Sequence, residues 1–201
     1  NCKEWLSCRN STFILVYAIV MVRISTRYLW KGSENVRKSS FTLNLCLSAV
    51  IAAVYAALTL GFQAISFGPV QFRISEALTL LPALLPQAVP GLAVGCLISN
   101  LFSPLGATVY DVVFGTLATL IAAVLTYRIK GSLWLKALPP VLVNAMVVGL
   151  VLTYAYGLNT LLLNMLTVGA GEAVVCYALG VPMMKLLNRA DLSRFTGRPH
   201  A

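Results

Sequence analysis

The chain has 201 residues, 59% of them hydrophobic and only 10% charged, with a net charge of +9 and a mean hydropathy of +0.84. A soluble domain carries about 25% charged residues, so the composition excludes a soluble domain and points to an all-α polytopic membrane protein. Of the fifteen Lys and Arg, seven lie before Ser39, four from Lys185 onward and three between Arg128 and Lys136; these are cytoplasmic loops and tails, not a nucleic-acid groove.

Residues 1–38 form a basic N-terminal segment unlike the body. Phe13 to Val22 is apolar but too short to span a bilayer. Arg23 and Arg27 follow where a signal peptide needs small residues. Lys31-Gly32-Ser33-Glu34 can be encoded by a purine-rich stretch resembling a ribosome-binding site, and Val36 by a GTG start. The expectation is therefore a natural start at Val36 behind a translated leader, with an extra N-terminal helix as the other reading.

Residues 39–187 read as a membrane domain of six transmembrane helices. Phe41 to Ile65 is the first span. It carries Ala49, Ala52, Ala53, Ala56 and Ala57, overlapping small-xxx-small pairs suited to internal packing or to a partner subunit. Gly68 and Pro69 break the chain, and a second helix is expected from about Val70 to Leu85. Pro86 to Pro90 is an inner turn, Gly91 to Phe102 a third helix, and Ser103 to Gly106 an outer loop. Asp111 to Tyr127 is the fourth span. Pro139-Pro140 opens a fifth, to about Tyr156, and Gly157 to Asn159 turns outside. The sixth runs from about Leu162 to Leu187, before a basic cytoplasmic tail at 188–201. Six crossings put both termini in the cytoplasm and every basic cluster inside.

Between Ser39 and Met184 there are three acids: Glu76, Asp111 and Glu172. An ionisable side chain facing lipid costs at least about 2.5 kcal/mol, so such groups face inward and mark function. The topology puts Glu76 and Asp111 in the outer half and Glu172 roughly 15 Å deep. Gln71, Arg73 and Asn100 join them at an outward-facing site. Asn144, counted from the inner end of its helix, ranks lower. A plain network tying helices together, such as Arg73 with Glu76, is the simpler reading of any one of these residues. The aromatics near the mouth (Phe67, Phe72, Tyr110, Phe114, Tyr154, Tyr156) could stack on a planar ligand, with interface anchoring the plainer role of the tyrosines.

The five cysteines make no CxxC pair and read as small buried hydrophobes. His200 is the single histidine, so a protein-only zinc site and a Ser/His/Asp set are not expected. There is no GxxxxGK[ST] and no GxSxG. The chain is expected to be neither an ATPase nor an enzyme, to need no cofactor and to bind no nucleic acid.

F-G-P-V-Q-F-R-I-S-E-A-L-T-L-L-P at Phe67–Pro82, N-L-F-S-P-L-G, D-V-V-F-G-T-L-A-T-L, A-L-P-P-V-L-V-N-A and G-A-G-E-A-V-V together resemble the QueT family of queuosine-precursor transporters, from about Ser39 to Leu187. Members look like substrate-binding S components of energy-coupling factor (ECF) importers. The resemblance implies an S-component-like bundle in the bacterial cytoplasmic membrane, in contact with lipid. It implies capture of a 7-deazaguanine from outside, and docking on a transmembrane coupling subunit driven by two ATPase subunits. Ala49, Ala53 and Ala57 resemble the AxxxA docking surface. A carboxylate, Glu76 or Glu172, can accept the paired N–H donors of a guanine-like edge. Gln71 or Asn100 can serve the remaining polar atoms. Asp111 suits a cationic aminomethyl group, and Arg73 or an amide a cyano group. An S component for another vitamin, or a stand-alone carrier or channel driven by an ion gradient, is the alternative.

Overall fold

Lipid does not drive helices together as water does, so membrane helices pack through small residues and internal hydrogen bonds. The computed structural model describes residues 39–66, 72–103, 109–158 and 160–189. Residues 1–38 and 190–201, with the leader expectation and most of the tail, lie outside the described residues. The chain divides between Leu43 and Asn44, and the packing below concerns the part from Asn44 onward.

Among the described residues all regular structure is helical. α1 is Ser39–Gly61, α2 the short Gln63–Ser66, and α3 a 3₁₀ helix, Ile74–Ala83. α4 is Ala88–Leu101. α5, Asp111–Arg128, begins with a π-helical turn over Asp111–Gly115. α6 is Leu133–Lys136 and α7 Leu138–Tyr154. α8, Leu161–Arg189, contains a π-helical stretch at Val174–Gly180.

Among the described residues, four helical stretches are long and apolar enough to cross a bilayer: Phe41–Gly61, Asp111–Arg128, Leu133–Tyr154 and Leu161–Arg189. The other two expected crossings are short. α3 has 10 residues, about 20 Å at the 3₁₀ rise. α4 has 14 residues, about 21 Å at 1.5 Å per residue. Both fall short of a hydrocarbon core of about 30 Å. The prolines set these limits. Pro82 sits inside α3 with no N–H to continue the ladder. Pro86 disfavours helical geometry at Leu85, where regular structure stops. Pro90, expected in the inner turn, is instead the third residue of α4, where its missing N–H would have had no partner. The first span likewise ends at Gly61 rather than Ile65, which belongs to α2.

Large apolar side chains point outward along α4, α5, α7 and α8, among them Leu97, Leu101, Ile121, Leu125, Leu142, Met146, Leu162 and Leu166. Exposed apolar surface on this scale is a lipid-facing surface. Inside, α7 packs along α8, α5 against α4 and α7, and α3 against α5 and the π-helical stretch of α8. Ala118, Ala122 and Ala123 are fully buried, and they let α5 sit close to its neighbours. Leu80, Leu92, Cys176, Val181 and Met184 form the main apolar cluster.

α1 and α4 meet backbone to backbone at two glycines. A Cβ added at Gly91 would lie 2.6 Å from the Ser48 carbonyl oxygen, and one at Gly95 would lie 2.8 Å from both the Ala52 oxygen and Tyr55 Cβ. Only glycine lets these backbones meet. Hydrogen bonds flank the contact: Ser48 Oγ donates to the Gln87 carbonyl at 2.8 Å, and Gln87 Nε2 to Asn44 Oδ1 at 2.9 Å. The alanines of α1 thereby divide into two sets. Ala52 and Ala56 are buried inside the bundle, whereas Ala49, Ala53 and Ala57 are exposed.

The bases gather at one end. Arg128 closes α5, Lys136 closes α6, and α6 lies against both α5 and the last segment of α8. Trp134 of α6 stacks on Tyr177 at 5.5 Å, and the Lys185 ammonium lies 5.8 Å from the Trp134 ring.

Candidate functional site

Glu76 lies in the first turn of α3, fully buried. Its Oε1 accepts from the Tyr55 hydroxyl of α1 and from Thr119 Oγ1 of α5 at 3.3 Å. Arg73, one turn earlier and also buried, brings Nη1 to 3.9 Å from the same oxygen. Glu172 of α8 is buried too, and its Oε1 accepts from Asn144 Nδ2 of α7 at 3.1 Å. Asn144 also neighbours Glu76. The two carboxyl groups are close enough to act on each other electrostatically, and Arg73 acts on both. Five helices and the residue before α3 thus send polar groups to one point inside the bundle. Glu172 stands just ahead of the π-helical stretch of α8, an irregularity common at functional sites.

Cys96 of α4 belongs to the main apolar cluster and also borders this polar one. Its sulfur accepts from Asn100 Nδ2 at 3.4 Å and Thr119 Oγ1 at 3.3 Å, and lies 4.0 Å from Arg73 Nη1. Cys176 contacts the Glu76 carbonyl at 3.8 Å. Ser75 Oγ and Thr59 Oγ1 share a hydrogen bond of 2.6 Å beside Glu76.

Glu76 Oε2, Glu172 Oε2 and Asn100 Oδ1 are buried with no hydrogen bond among the described residues. An unsatisfied buried acceptor costs about 1–3 kcal/mol, more when charged. Three acceptors in one cluster match a ligand that brings several N–H donors.

Of the six residues singled out from the sequence, the structure brings Arg73, Glu76 and Glu172 together, with Asn100 at the margin through Cys96. Asp111 is only half-buried, and its carboxylate accepts from the Tyr156 hydroxyl beyond α7. Its backbone carbonyl accepts from Asn100 Nδ2 at 3.0 Å. Gln71 and Phe67 lie outside the described residues. Tyr110 and Phe114 stack on each other at 6.3 Å and are exposed.

The sequence reading missed Tyr55, Thr119 and Cys96, and ranked Asn144 too low. Asn144 could have been found by counting from the other end of its helix. It lies ten residues before Tyr154, and Glu172 eleven beyond Leu161, so both stand about 15 Å from that end. Tyr55 is two residues past Ala53, roughly 200° around α1 from the alanine stripe. A lone tyrosine opposite a stripe of small residues was the available signal.

A family profile described as "QueT transporter" matches residues 45–189, most of the chain. Over 86 residues the chain is 40% identical to the "Queuosine precursor transporter QueT" of Lactococcus lactis subsp. cremoris, covering 42% of this chain and 49% of that protein. The chain thus spans about half the length of the curated relative it matches. No solved structure matches. Both descriptions are of transporters, not enzymes.

Proposed function

The chain belongs to the QueT transporter family, and we propose that it is the substrate-capture subunit of an ECF-type importer, binding a 7-deazaguanine precursor of queuosine from outside. The observation that carries this reading is the buried cluster of Glu76, Glu172, Asn144, Asn100 and Arg73 with its three unsatisfied acceptors. A guanine-like edge offers adjacent N–H donors to a carboxylate, and Glu76 Oε2 and Glu172 Oε2 are the acceptors we assign to them. The relative's name supports the substrate class.

In this reading the chain crosses the membrane six times, α3 and α4 being short crossings, with both termini in the cytoplasm. The basic end around Arg128, Lys136 and Lys185 supports that orientation. Energy comes from outside the chain, whose sequence lacks a phosphate-binding loop. The exposed stripe of Ala49, Ala53 and Ala57 is the surface we assign to a transmembrane coupling subunit, which two ATPase subunits would drive.

The test is calorimetric titration of the purified full chain, without nucleotide, with 7-aminomethyl- and 7-cyano-7-deazaguanine. Saturable binding that weakens at least tenfold in Glu76→Gln and Glu172→Gln supports the reading. Unchanged affinity in both variants removes the site assignment. Ion-driven flux through the chain alone in proteoliposomes would make it a carrier instead.

A further inference from the structure

The capture reading gives no task to Tyr55, although it is fully buried and its hydroxyl donates to the central carboxylate. We propose that Tyr55 is a positioning residue that transmits occupancy of Glu76 to the C-terminal half of α1. This rests on the reading that a ligand engages Glu76.

The two halves of α1 are held differently. From Ser48 to the Cβ of Tyr55 the helix is pressed on Gly91 and Gly95 of α4, with Ser48, Gln87 and Asn44 bonded beside the contact. From Tyr55 onward its interhelical side-chain hydrogen bonds run to the segment carrying the site. Tyr55 donates to Glu76, and Thr59 Oγ1 shares a bond with Ser75 Oγ. The helix is therefore fixed by shape as far as Tyr55 Cβ, while the Tyr55 hydroxyl and the turn beyond it follow the start of α3.

At Glu76 the two carboxylate oxygens are unequal. Oε1 takes Tyr55 and Thr119, whereas Oε2 takes no donor among the described residues. The Tyr55 bond thus sets the carboxylate so that Oε2 is presented to a ligand. A ligand held on Oε2 immobilises the carboxylate, and the phenol passes this restraint to α1. Ala53 and Ala57 lie on the other face of that helix and are exposed. The surface opposite the site is then steadier when the site is full.

Hydrogen exchange of the full chain in micelles tests this, with saturating 7-aminomethyl-7-deazaguanine or its 7-cyano analogue as probe. In the wild type, ligand should slow exchange over 55–61 at least threefold. Tyr55→Phe keeps the ring's volume and should still bind at saturation, but lose that ligand-dependent slowing. Thr119→Val removes a donor to the same oxygen from a different helix, so it should weaken binding yet keep the α1 response. A purely structural tyrosine would shift the ligand-free rates and leave the ligand effect intact. Equal slowing in Tyr55→Phe and wild type overturns the proposal, as does a wild type that binds ligand with no change over 55–61. A wild type that binds neither probe overturns the capture reading, and this inference with it.

Discussion

Replacing Gly95 by valine should pry α1 away from α4. The first added carbon alone would sit 2.8 Å from the Ala52 oxygen and from Tyr55 Cβ. Carbon atoms rest about 3.5–4.0 Å apart, so the helices must separate by roughly 0.7–1.2 Å. Overpacking of this kind costs about 1–3 kcal/mol. At about 2–4 °C per kcal/mol for a chain of this size, Tm should fall by roughly 2–12 °C. Thermal unfolding of the purified chain, followed by size-exclusion chromatography, reads this directly. Gly61 at the end of α1 is the control, because an added Cβ there meets nothing within 4 Å. Gly61→Ala should stay within about 0.5 kcal/mol of wild type, as surface substitutions do. The same separation draws Tyr55 from Glu76, so Gly95→Val should also bind ligand more weakly. If Gly95→Val melts with wild type, or Gly61→Ala falls as far, the backbone contact is not what holds α1.

Three further outcomes follow from the geometry. Asn144→Leu removes the donor to Glu172 Oε1; a hydrogen bond to a charged group is worth about 1.5–3 kcal/mol, so titration should give a Kd raised roughly ten- to a hundredfold. Tyr156→Phe removes a bond to Asp111 on the exposed rim, and its Kd should rise less than that of Glu76→Gln, with an equal loss arguing that Asp111 belongs to the ligand site. Ala53→Trp places a bulky ring on an exposed stripe, so the purified variant should bind ligand normally but fail to co-purify with coupling and ATPase subunits; intact co-purification would move the docking surface elsewhere.

The helical class and the pairing of Glu76 with Arg73 were legible because charge is rare in this chain and a spacing of three residues puts both on one face. Glu172 was legible for the same reason, as an acid within an apolar span. What escaped was the neutral part of the cluster. Thr119, Cys96 and Tyr55 are ordinary residues in membrane helices, and only the crossing of α1, α4 and α5 turns them toward Glu76. The alanines of α1 showed that close packing occurs, but not which face packs. That depended on Gly91 and Gly95, about forty residues further on in another helix. The 3₁₀ geometry of α3 escaped because hydropathy does not distinguish a 3₁₀ rise from an α-helical one, and Pro90 fell on the wrong side of a boundary because prolines mark breaks without saying which side is helical.

We propose that this chain by itself captures a 7-deazaguanine on its buried carboxylates. Native mass spectrometry of the full chain, isolated from cells supplied with queuosine precursors, is the decisive test. The wild-type species should carry one molecule with the mass of a 7-deazaguanine precursor, absent from Glu76→Gln and Glu172→Gln. A wild type that emerges bare, that carries a different small molecule, or that shares its adduct undiminished with both variants would contradict it.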